Sequence, residues 1–238
     1  MLKNVKRILL VLAALILLST AATPVTVFAS ASDGSPVVLK DTGIERVVQT
    51  VTDGVVTKAV YNKKLNLLTI EETGHKPVTY NMTELTRQAV ADELITVSPE
   101  EPQLGMLAAT TKQKTFMNYE YIITHGSTEK WELRRPKEDS LFKYYYKKVN
   151  RTASNKGNLA SFQTAVENIN YYEFKAIGSS LTSLGLSWLS FILSVPTAGA
   201  GTLTAGLAAL GAYGTALDSL VKLHRHANLA NTYYHRVK

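Results

Sequence analysis

Cysteine is absent from all 238 residues. That excludes a disulfide framework, thiol catalysis and thiolate metal sites, so the chain must hold together by packing. There is no phosphate-binding glycine loop, no G-x-S-x-G elbow and no H-E-x-x-H, and no other enzyme signature remains. The serine-rich run GSSLTSLG at Gly178 lies in apolar sequence with no nearby histidine. Glu71 and Glu72 are adjacent in a strand-like run, so they point to opposite faces and make poor acid/base partners. Glu100 and Glu101 read as solvated surface. No cofactor is implied. The most informative absence is local. From Ala176 to Leu217, 42 residues carry no Asp, Glu, Lys, Arg or His and hold 7 of the chain's 14 glycines.

The remainder is polar and basic. Lys3, Lys6 and Arg7 precede an unbroken apolar run of 11 residues, Ile8 to Leu18, and VFASAS offers small-x-small cleavage sites after Ala29 or Ala31. That pattern is a secretory signal peptide over residues 1–31. As a helix, the run would rise only about 17 Å, short of the roughly 30 Å a permanent anchor must span. Cleavage lowers the formal charge from +7 to +4. The mature chain is expected outside the cell, and its mild charge requires no nucleic-acid partner.

Residues 32–97 contain short β-branched and aromatic runs, VVTKAVYN, LNLLTIEE and KPVTYNM, separated by turn chemistry at NKK and TGHK. They read as an antiparallel meander, with Val56, Lys58 and Val60 alternating against Thr57, Ala59 and Tyr61. TELTRQAVADELI after it reads as a short helix with Thr83 as N-cap. Residues 98–111, with two prolines and a glycine in SPEEPQLG, read as a linker. Residues 112–152 are dense in aromatics and cations. FMNYEYIITHGSTEKWELRRP gives two strands around HGST, and FKYYYKKV gives a third. The surface is either a sheet with lysine-guarded edges or a patch for membrane or cell wall, since Tyr and Trp favour the bilayer interface.

Residues 153–238 read as helical. Leu159, Phe162, Val166, Ile169 and Glu173 follow helical spacing, apolar until the last, and Asn158 is placed to cap the start. The helix has no evident stop before the uncharged stretch. PTAGAGT divides that stretch into two halves of 20 residues, 176–195 and 202–221. Twenty helical residues rise about 30 Å, so the two form a candidate membrane hairpin. Its tip, around Pro196, Gly199 and Gly201, has no charge, as a turn that crosses hydrocarbon requires. Ala200, Thr204, Ala208, Ala212 and Ala216 make a small-residue stripe of the kind that packs helices in lipid. Leu184, Trp188 and Phe191 are the bulky candidates for insertion. The seven hydroxyls between Ser179 and Ser194 keep the first half only moderately apolar. That suits a hairpin buried in a soluble fold, or one that travels through water before inserting. The tail supplies Lys222, Arg225, Arg236 and Lys238 with His224, His226 and His235 as candidate contacts to anionic lipid. The H-x-H pair plus a third histidine also has the outline of a zinc site. With no acid or thiol beside it, a solvated tail is the better reading.

The run NYEYIITHGSTEKWELRRPKEDSLFKYYYKKV, then SNKGNLASFQTAVENIN, then a Gly/Ala-rich apolar C-terminal stretch, resembles the large secreted geobacillin-type bacteriocins of Gram-positive bacilli. KWELRRP (Lys130 to Pro136) and SNKGNL (Ser154 to Leu159) carry it most specifically. The resemblance implies an antibacterial protein acting on relatives of its producer, with the bacterial membrane as partner, and it implies no catalytic residues. The expected fold is α+β: a small antiparallel β-rich N-terminal region, then an amphipathic helix and a hydrophobic helical hairpin at 176–217. The competing expectation is a secreted or surface-held structural or binding protein that the hairpin anchors to the producer's membrane.

Overall fold

The computed structural model describes residues 34–91, 110–137, 140–178 and 181–238. The expected signal peptide at 1–31 and most of the expected linker at 98–111 lie outside the described residues. The fold is α+β, with two antiparallel sheets and, among the described residues, five helices.

The first sheet is a five-stranded meander: β1 (Val37–Asp41), β2 (Glu45–Thr52), β3 (Val55–Asn62), β4 (Leu67–Glu72) and β5 (Val78–Asn81). Its turns use residues that tolerate positive φ, Asp53 and Gly54 between β2 and β3, and Asn66 before β4. The register aligns Val48, Ala59 and Ile70 in one row and Thr50, Thr57 and Glu72 in the next. These rows form the inner face. Val48, Ala59, Thr50 and Thr57 are buried there, while Val56 is exposed on the outer side. The alternation in β3 is therefore present, with Thr57 and Ala59 turned inward and Val56 and Lys58 outward.

Helix α1 (Met82–Ala91) follows. Its cap is Asn81, whose Oδ1 accepts from Glu84 N at 3.1 Å, rather than the expected Thr83, which lies inside the helix. The second sheet holds β6 (Thr110–Lys114), β7 (Glu120–Thr124), β8 (Lys130–Lys137) and β9 (Ser140–Asn150) in sequential order. The strand β6 begins inside the range expected to be linker. The inner face of this second sheet presents Tyr121, Ile123, Trp131 and Leu133 to helices α2 (Lys156–Ile177) and α5 (Gly214–Arg236). Those two run antiparallel, with Phe162 beside Tyr234 and Tyr172 beside His226. Helix α2 starts from Asn155 rather than Asn158. The side chain of Asn158 instead donates to the Arg236 carbonyl at 3.3 Å. Leu159, Phe162, Val166 and Ile169 are buried, as the spacing requires.

The uncharged stretch departs from two 20-residue helices. Gly178 at φ +88° ends α2, a backbone that a side chain would strain. Thr182 then caps a new helix, accepting from Gly185 N at 3.1 Å. Helix α3 (Ser183–Ser194) has 12 residues and α4 (Ala200–Ala209) has 10. At 1.5 Å per residue they rise about 18 and 15 Å. Gly211 at φ +94° and Gly214 at φ +52° separate α4 from α5. Among the described residues no helix is long and apolar enough to cross a membrane.

Candidate functional site

Helices α3 and α4, joined by a short turn, form a helical hairpin in which α4 lies across the inner face of the first sheet and α3 packs mainly against α1 and β9. Helix α3 buries Trp188, Leu189, Phe191 and Ile192. The Trp188 indole Nε1 donates to the Leu210 carbonyl at 3.3 Å, which ties the start of the hairpin to its end. Phe191 meets Tyr80 edge to face at 5.5 Å. A Cβ on Gly206 would stand 2.3 Å from Phe191 Cζ and 3.4 Å from Ile70 Cδ1, so only glycine lets helix, ring and sheet approach this closely. Gly201 lies on a floor of three threonines. Its virtual Cβ is 3.2 to 3.4 Å from the hydroxyls of Thr52, Thr57 and Thr50, and its carbonyl accepts from Thr50 at 3.1 Å. Thr202 donates to Glu72 Oε2 at 2.5 Å.

This contact is made largely of backbone and small side chains. The hydroxyls of Thr52, Ser190 and Ser219 are buried and find no hydrogen-bond partner among the described residues. Each such group costs on the order of 1–3 kcal/mol.

The tip is a turn from Val195 to Gly199, closed by Ala198 N donating to the Val195 carbonyl at 3.1 Å. Pro196, Thr197 and Gly199 are exposed, so an uncharged turn faces solvent. His224 of α5 lies beneath it, with Nε2 3.2 Å from the Val195 carbonyl. Asn228 and His224, with Met117, Tyr119, Arg135 and Pro196, line a cavity of about 40 Å³, room for at most a few waters. Burial holds the His224 imidazole below its usual pKa, against the pull of the Val195 and Pro196 carbonyls.

The candidate insertion residues thus divide. Leu184, Pro196 and Gly199 are exposed, whereas Trp188, Phe191, Gly201, Ala208 and Ala212 are buried. Within the small-residue stripe, Ala208 and Ala212 pack in the core while Ala200 faces solvent.

The basic tail is α5. Lys222, Arg225, Arg236 and Lys238 are exposed. Of the three histidines only His235 is exposed as a solvated tail requires. His224 is buried because it occupies the α5 face that carries Leu220, Leu223 and Ala227. His226 is half-buried, stacked on Tyr172 at 5.5 Å, and burial holds its pKa down too. Among the described residues no group of His, Asp or Glu is placed to hold a metal ion.

One buried group carried a signal that went unread. Glu173 continues the apolar spacing of α2, and it is fully buried. Its two carboxylate oxygens accept from the Phe116 and Met117 amides, each at 2.7 Å. Desolvation outweighs those donors and pushes its pKa up to about 8. An acid at the apolar position of an amphipathic helix was the available cue.

The outer face of the second sheet is uncovered by any described helix. Arg134 lies over Tyr144 and Tyr146, at 4.8 and 5.6 Å from the ring centres, and pairs with Glu120 at 2.6 Å. Lys148 pairs with Glu132 at 2.8 Å. No protein-family model, curated protein or solved structure matches this chain.

Proposed function

We propose that this chain is a secreted antibacterial protein whose uncharged segment leaves its folded position and enters the membrane of a target cell, permeabilising it. The carrying observation is the hairpin at 183–209. It has no charged residue, exposes an uncharged tip, and its second helix, α4, rests on the first sheet through close glycine contacts to threonines and Ile70. In water the segment is bounded by the glycines at 178, 211 and 214 and divided into two short helices by the turn at Val195–Gly199. In hydrocarbon, where unpaired backbone groups are costly, continuous helix is favoured. Insertion on this reading is a refolding step. It joins residues flanking α3 and α4 into longer helices and exchanges the threonine floor for lipid. The exposed cations of α5 then hold the base of the hairpin at an anionic surface.

The competing reading is a secreted binding protein in which the hairpin is permanent core. It is favoured by the close seating of Gly201 and Gly206 and by the absence of a spanning helix among the described residues.

Gly199→Asp separates the two. Nothing lies within 4 Å of a Cβ at this position, so the soluble fold accepts the change. Carrying the carboxylate to the bilayer centre costs about 2.5–3.5 kcal/mol. Dye release from vesicles of phosphatidylglycerol and phosphatidylcholine is expected from the wild type and strongly reduced in the variant. Equal release by two folded proteins rules out insertion through this tip.

A further inference from the structure

The C-terminal end of α2 carries aromatic rings on the side where a solvated helix normally carries charge. Tyr171 and Phe174 are 56% and 48% exposed. Three residues apart, they share one helix face. The rings are held in place. Tyr171 packs edge to face on Tyr172 at 5.0 Å, and Phe174 leans on Phe116 at 5.7 Å.

Cations surround them. Lys175 Nζ lies 5.8 Å from the Tyr171 ring centre and Lys222 Nζ lies 5.9 Å from that of Tyr172. Arg225 follows Lys222 at i+3 on the exposed side of α5, and Leu229 is exposed one turn beyond. The acid on this part of α5 is Asp218, paired with Lys222 at 2.9 Å. The patch also lies where the uncharged stretch begins. Gly185 of α3 packs on the Ile177 side chain, and its neighbour Leu184 is 47% exposed.

We propose that Tyr171 and Phe174, flanked by Lys175, Lys222 and Arg225, form a docking face for an anionic bilayer interface. The kind of partner rests on the function proposed above. Aromatic rings favour the headgroup level, where their apolar body and polar rim are both accommodated. Lysines and arginines beside them meet lipid phosphate. A second copy of the chain would bring the same excess of positive charge against this face, which disfavours self-association there. Docking by this end would bring the start of the hairpin to the membrane before any helix leaves the sheet.

Sedimentation of the full mature chain with vesicles tests the assignment, using one set rich in phosphatidylglycerol and one of phosphatidylcholine alone. Tyr171→Ser with Phe174→Ser is expected to weaken binding to the anionic vesicles by about tenfold. Lys175→Glu with Arg225→Glu touches no core contact and is expected to lose a similar factor on anionic vesicles, with little change on neutral ones. Unchanged binding in both double variants overturns the proposal, and so does equal wild-type binding to the two lipids. A dimer in sedimentation velocity that the aromatic double variant abolishes, with no vesicle binding, assigns the face to a second copy instead. Dye release separates this inference from the insertion reading. Release that persists in variants with lost docking removes the docking face alone. Docking by a wild type that releases no dye removes insertion alone.

Discussion

The two sheets are covered differently. Over β6–β9 the cover is α2 and α5, helices of 22 and 23 residues that bring Leu159, Phe162, Ile169, Leu223 and Tyr234 onto Trp131 and Leu133. Over β1–β5 it is mainly α4, ten residues whose closest approaches are made by Gly201 and Gly206. Hydrophobic stabilisation scales with apolar area removed from water, at roughly 25 cal/mol per Å². A glycine over a threonine removes little such area, and a phenylalanine between two helices removes much. The cover of β1–β5 therefore depends on close fit and that of β6–β9 on bulk. Local opening is expected first where bulk is lacking.

The largest effect is expected where bulk carries the packing. Phe162→Ala leaves a cavity between α2 and α5 and should lower global stability by about 3–5 kcal/mol, read from the denaturant midpoint at unchanged m. A loss below 1 kcal/mol breaks the comparison.

Gly206→Val tests the other cover. The added atoms meet Phe191 and must push α3 from α4, an overpacking cost of about 1–3 kcal/mol. Hydrogen exchange should quicken across residues 183–209 while β7 and β8 keep their protection. Uniform quickening would make the two covers a single cooperative unit.

Glu173→Gln is expected to cost about 1–3 kcal/mol, because one of the two loop amides loses its acceptor to an amide NH₂. The variant also changes the pH profile. A folded-state pKa of about 8 against 4.5 means the folded chain holds a proton that the unfolded chain releases. The resulting contribution to stability is complete below the unfolded value and is lost as pH rises toward 8 and past it. Unfolding curves from pH 5 to 9 should flatten in Glu173→Gln, and a slope that survives assigns the titration to another group.

The smallest stability change belongs to the tip. Gly199 is the N-cap of α4 with no side-chain cap, and its φ of −62° suits any residue. Gly199→Asp should add a few tenths of a kcal/mol by accepting from the first-turn amides. A drop of more than 1 kcal/mol would mean the turn is packed in a way its exposure denies.

Legibility in the sequence followed pattern strength. The last three strands of the meander, β3 to β5, were legible because β-branched runs are separated by turn residues at NKK and TGHK, whereas β1 and β2 were not among the runs named. Helix α2 was legible because Leu159, Phe162, Val166 and Ile169 keep a 3.6-residue period. The strand β6, TTKQK, carries no apolar residue at all, and only its pairing with β7 makes it a strand. The uncharged stretch gave the opposite difficulty. Without charged residues to mark a solvent face, its length was read as two spans. The true breaks are conformational, at Gly178, Gly211 and Gly214, and positive φ leaves no mark in composition beyond the glycine itself. The insertion candidates were bounded by that same stretch. Burial then divided them, since Trp188 and Phe191 find partners in Leu210 and Tyr80, far away in sequence.

The hydrogen bond from Thr50 to Gly201 joins residues 151 positions apart. During synthesis the meander is complete long before its cover exists. At about 5–20 residues per second, the wait lasts on the order of ten seconds. Throughout that interval Val48, Ala59, Leu68 and Ile70 have no helix α4 above them. A nascent chain in this condition invites pairing with other chains or capture by a holding chaperone. Late arrival of the cover thus ties the timing of translation to the fate of the first half of the molecule.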